Sequence, residues 1–80
     1  MIPNKATVLH KIGGICLLLD ELAESELALT AANNLDPRSG EIWLKLCEVC
    51  LRTKRDYEAN MAIRRAVKCG FAKLDTNALL

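Results

Sequence analysis

Leu35-Asp36-Pro37, followed by Glu41-Ile42-Trp43-Leu44, is the stretch that decides how this chain folds. Pro37 has no N–H and pushes Asp36 away from helical angles, so a helix running up to Leu35 stops here. A second amphipathic segment then opens with the only tryptophan of the chain. Working outward from this junction, the two halves repeat each other at a spacing of 34 residues without a gap. Lys11 meets Lys45, Cys16 meets Cys50, Glu24 meets Glu58, Ala28 meets Ala62 and Ala32 meets Ala66. Apolar positions agree in phase as well: Val8/Ile42, Leu9/Trp43, Ile12/Leu46, Ile15/Val49, Leu17/Leu51, Leu27/Met61 and Leu29/Ile63. Isolated identities arise by chance in an Ala/Leu-rich chain, whereas agreement of phase along two segments in each half points to a repeated unit.

The periodicity within each half is helical. Asn4 is placed to cap a first helix over about 6–19, with Val8, Leu9, Ile12, Ile15, Cys16 and Leu19 on its apolar side. Gly13-Gly14 inside that segment costs about 1 kcal/mol per glycine and implies close approach of another helix. Asp20-Glu21 marks a turn or the start of the second helix. That helix spans Glu24 to Leu35 and turns Leu27, Ala28, Ala31, Ala32 and Leu35 to one side. Ser39 caps a third helix, with Glu41 in its first turn and Ile42, Trp43, Leu46, Val49 and Cys50 buried. The fourth begins near Asp56 and carries Ala59, Ala62, Ile63, Ala66 and Val67 in phase. Gly70 stands at the C′ position, with Phe71 as the capping contact. Residues 72–80 form a short fifth helix or a tail. The expected fold is all-α: antiparallel helical hairpins in one domain over 1–80, repeat one about 6–39 and repeat two about 40–73.

With that spacing and those residues the chain resembles the tetratricopeptide (TPR) family. Trp43 and Leu46 match the family's opening of helix A, and Ile12-Gly13 its Leu-Gly pair. Ala59 and Ala66, with Ser25 and Ala32, match its small helix B residues, and Pro37 its closing proline. The match covers about residues 6–71. It departs where Cys16 and Cys50 replace the tyrosine late in helix A, where Tyr57 falls one place late, and where Gly70-Phe71 ends repeat two without proline. The resemblance implies that Gly13, Ser25, Cys47 and Ala59 let the helices approach closely while Leu9, Trp43, Leu29 and Ile63 fill between turns. A plain four-helix bundle is the structural alternative.

An 80-residue chain buries only about 60% of the surface its unfolded form exposes, yet 51% of its residues are hydrophobic. Apolar surface left over in so small a domain serves a partner. The net charge of +1 points to neither nucleic acid nor a membrane surface. It divides unevenly: two lysines against five acids in residues 1–37 give −3, and nine cations against five acids in 38–80 give +4. This polarity is suited to orienting a partner or pairing two copies head to tail. Met1 to Lys5 does not read as a signal peptide, and the apolar run Ile12–Leu19 is too short to span a bilayer. Reduced thiols and a cytoplasmic location are the expectation for the four cysteines.

Cys47-Glu48-Val49-Cys50 is a CxxC motif, but zinc needs further ligands in tetrahedral array, and only Cys16, Cys69 and His10 remain. Both cysteines lie on the apolar face of a helix, where cysteine acts as a small hydrophobe. His10 is the single histidine, and neither a triad nor a phosphate loop is legible. No enzyme, cofactor, metal or small-molecule substrate is therefore expected. Arg64, Arg65 and Lys68 with Arg52, Lys54 and Arg55 form a basic patch without interleaved aromatics, which reads as a solvated face. A small nucleic-acid-binding regulator using that patch is the alternative function.

In TPR proteins the inner face is lined mainly by helix A. The resemblance thus places a partner-binding groove at Thr7, His10, Gly14, Leu17, Leu44, Glu48 and Leu51. Its leucines suit an amphipathic helix of another protein, or a second copy of the chain. His10 and Gly14 stand where family members that hold chaperone C-terminal carboxylates carry Lys and Asn, so that activity is not implied. Two repeats fall short of the about three needed for independent stability. Size and architecture are also similar to the small chaperones of bacterial type III secretion, which hold a secretion subunit through its helix.

Overall fold

The computed structural model describes residues 4–70, and those residues are four α-helices: α1 Lys5–Leu18, α2 Leu22–Leu35, α3 Gly40–Arg52 and α4 Asp56–Lys68. Helix α1 packs on α2 and α3 on α4, and α3 also lies against both helices of the first hairpin. The Phe71 capping contact and the form of residues 72–80 fall outside the described residues.

Local chemistry sets the ends of the helices. Asn4 accepts the Ala6 N–H through Oδ1 at 2.7 Å. Ser39 stands at the N-cap of α3 with its carbonyl, rather than its hydroxyl, accepting the Trp43 N–H. The turn closing each hairpin is one and the same motif, 34 residues apart. Asp20 (φ 62°) and Lys54 (φ 60°) sit in left-handed conformation at C′. After them the Glu21 N–H reaches the Cys16 carbonyl and the Arg55 N–H the Cys50 carbonyl, both at 2.8 Å. Asp20 and Lys54 N–H groups bond the carbonyls of Leu17 and Leu51, completing a Schellman cap in each hairpin. Gly70 (φ 86°) takes the same position after α4.

Packing inside each hairpin depends on small residues. Gly13, Ser25, Cys47 and Ala59 are all buried. A Cβ on Gly13 would lie 2.5 Å from Leu29 Cγ, so only glycine fits beneath that leucine. Leu29 joins Leu17 and Val49 in a cluster flanked by Leu22 and Leu46, which ties the hairpins together. Cys47, Cys50, Ala59 and Ala62 pack with Trp43 inside the second hairpin. An ion pair also spans the hairpins: Arg55 grips Glu26 with two parallel bonds of 2.7 and 3.0 Å.

Several positions expected to be buried are exposed. The interior of α1 is Ala6, Gly13 and Leu17, whereas Val8, Ile12, Ile15 and Leu19 face out. In α2, Leu27 and Leu35 face out and Ser25, Ala28, Leu29 and Ala32 face in. Ile63 and Val67 of α4 are also exposed. These residues have the right period, but no third layer lies over them among the described residues.

Candidate protein-binding groove

The face on which α1 and α3 lie side by side carries a hollow of about 400 Å³. Its lining comes from both helices: His10, Lys11, Gly14, Ile15, Leu17 and Leu18 from α1, Lys45 and Glu48 from α3. A second hollow of about 380 Å³, lined by Glu41, Leu44, Lys45 and Glu48, adjoins it through the two shared residues. Gly14 leaves the floor open, since even a Cβ there would only just touch the Lys45 side chain at 3.9 Å. The neighbouring glycines thus have separate roles, Gly13 seating α2 and Gly14 keeping the groove deep.

Of the seven expected groove residues, His10, Gly14, Leu17 and Glu48 line the first hollow, and Leu44 with Glu48 the second. Thr7 and Leu51 are exposed and line neither. Leu17 needs a correction. It is only 3% exposed and belongs to the core between the hairpins, so it forms the groove's base rather than a free contact surface. Lys11 and Lys45 went unnoticed as groove residues. Their identity across the 34-residue shift was the available signal, because equivalent positions of α1 and α3 share a face.

Glu48 is oriented by Arg52, whose Nη2 donates to its carboxylate at 2.8 Å. Arg52 Nη1 also donates to the Leu17 carbonyl at 3.0 Å and lies 3.8 Å from Asp20. One arginine therefore holds the groove rim and the C-terminus of α1 together. Lys11 and Lys45 beside Glu48 and Glu41 give the groove a polar rim of both signs around an apolar base.

Cys47 and Cys50 are buried among alanines, away from this groove. Burial pushes both thiols above their ordinary value; Glu48 adds to the rise at Cys47, and Arg55 partly offsets it at Cys50. Thiols in that state are poor nucleophiles and poor ligands. Among the described residues, no group of three or more His, Cys, Asp or Glu is placed to hold a metal ion.

Half of the basic patch is engaged internally among the described residues. Arg52 and Arg55 are in ion pairs, and Arg65 lies over the Trp43 ring at 5.9 Å from its centroid. No described helix is long and apolar enough to cross a membrane.

No family model matches the chain, and no solved structure matches it. Two curated proteins do: cilia- and flagella-associated protein 70 of Macaca fascicularis and that of Homo sapiens. Each is 41% identical over 69 residues, which is 86% of this chain and 6% of the relative. The chain thus spans about 6% of the length of the curated relatives it matches.

Proposed function

We propose that the chain is a TPR-like protein–protein interaction module that holds an amphipathic helix in the groove between α1 and α3. The single observation behind this reading is the groove itself, apolar at its base, open at Gly14 and rimmed by charges of both signs. A helix laid along it presents apolar residues at i, i+3/i+4 and i+7 to Ile15, Leu18 and Leu44, and acids to Lys11 and Lys45. The internal engagement of Arg52, Arg55 and Arg65 favours this over nucleic-acid binding through α4.

The relatives' names extend the proposal to assemblies of cilia or flagella, with the module working in the cytoplasmic milieu that reduced thiols suit. A type III secretion chaperone gains no support from them and rests on size and architecture alone. The test uses the chain as bait in extract of ciliated cells, compared with a Gly14→Glu, Leu44→Glu variant. Proteins captured by the parent and lost with the variant, at equal helicity, support the groove. An identical captured set from both baits refutes it.

A further inference from the structure

A further hollow, also of about 380 Å³, lies on the other side of α3, in the valley between α2 and α4. Its floor is Trp43, Leu46 and Cys50 of α3. At about 100° per residue these side chains leave the helix opposite Leu44, Lys45 and Glu48, which belong to the groove beside α1. The valley and the groove share no residue. The valley also lies between the two hairpins, and all of its lining belongs to α2, α3 and α4.

Its two ends carry opposite charge. At one end Arg55 serves two carboxylates at once, Glu26 at 2.7 and 3.0 Å and Glu58 at 3.2 Å, so one cation stands against two acids. At the other end Arg65 lies over the Trp43 ring, 5.9 Å from its centroid, and is in no ion pair among the described residues. Leu46, Met61 and Ala62 make an apolar stretch between them. Glu58 and Arg65 stand at i and i+7 of α4, which separates the charged ends by about 10 Å at a rise of about 1.5 Å per residue.

We propose that this valley is a second docking site, and that its occupant is a helix of a partner protein carrying an acid at i, an apolar residue at i+3 or i+4 and a cation at i+7. That spacing reproduces the distance between the charged ends. The cation joins the two carboxylates that Arg55 serves alone, the acid meets Arg65, and the apolar residue covers Leu46 and Met61. Such a helix runs antiparallel to α2 and α4. Its acid then lies toward its own N-terminus and its cation toward its C-terminus, the order that its macrodipole favours. With the groove beside α1, whose occupant is proposed above, the chain joins two partners across α3.

Trp43 is the only tryptophan of the chain and lines the valley, so its fluorescence reads occupancy of this site and not of the groove. The full 80-residue chain is titrated with two stapled helical peptides that lack tryptophan. One carries Glu at i, Leu at i+4 and Lys at i+7; in the other Glu and Lys are exchanged. The first is expected to shift the Trp43 emission saturably. The exchanged peptide is expected to bind at least about tenfold more weakly, because each end then opposes like charges. A Glu58→Lys, Arg65→Glu variant reverses the polarity of the valley at two exposed positions, with parent helicity checked by circular dichroism. It is expected to prefer the exchanged peptide. An emission unchanged by the first peptide up to about 1 mM overturns the proposal. So does equal binding of the two peptides by the parent chain, or a folded variant that keeps the parent's preference.

Discussion

Ser25 donates its hydroxyl to the carbonyl oxygen of Gly13 across 2.7 Å, at a point where both residues are buried. This bond ties α1 directly to α2. Glycine has no side chain and serine a small one, so little bulk stands between the helices. Leu29 then fills the space against Gly13 and becomes fully buried, which contributes about 1.5–3 kcal/mol.

The adjacent glycines of α1 should respond in opposite directions. Gly13→Ala forces its methyl into Leu29 and is expected to destabilise by about 1–3 kcal/mol, the usual range for overpacking. Gly14→Ala meets only the Lys45 side chain, at an unstrained 3.9 Å, and is expected to stabilise by about 0.5–1 kcal/mol through helix propensity. Urea unfolding of the pair decides the matter. Equal effects at both positions would show that the hairpin register is different.

The repeated turn supplies a second prediction. Lys54 holds a left-handed conformation that costs a non-glycine residue about 1 kcal/mol, and its side chain makes no ion pair within the described residues. Lys54→Gly should therefore raise stability by roughly 0.5–1 kcal/mol. Asp20→Gly should gain less, because Asp20 lies 3.8 Å from Arg52. Thermal melts of the two variants measure the difference.

Burial raises the thiol pKa values of Cys47 and Cys50 above the ordinary 9.0. The folded state therefore keeps these protons at pH values where the unfolded chain releases them. Their contribution to stability is complete below 9.0 and is lost as pH rises through the higher folded values. Unfolding free energy of the parent should fall between pH 8 and pH 11 more steeply than that of a Cys47→Ala, Cys50→Ala variant, with pH points chosen to bracket the thiol range. Parallel curves would mean that the two thiols are already solvated in the folded protein.

Much of this architecture was legible in the sequence because its signals are local. Asn4, Pro37 and Gly70 act within a turn of their own positions, and Gly13 marked a contact that leaves no room for a Cβ. Which side of each helix is buried was harder to read. Ile15 and Val49 are equivalent in sequence and period, yet one faces solvent and the other is fully buried. The difference lies in having a hairpin to pack against, which no local pattern records. The same limit explains Leu17, expected on the groove surface but drawn into the core by Leu29 and Val49. Lys11 and Lys45 were visible as a matched pair, but only the side-by-side placement of α1 and α3 made them neighbours.

The central claim, that the face shared by α1 and α3 receives a partner protein, is tested most directly by site-specific photo-crosslinking. A photoreactive residue replaces Leu44, which lines that face, or Leu27, which projects from α2 and is 70% exposed. Both proteins are irradiated in extract of ciliated cells and the adducts identified by mass spectrometry. The account predicts a discrete adduct with a foreign protein from position 44 and none of comparable yield from position 27. Capture of the same protein with equal yield from position 27, or no adduct from position 44, would contradict it.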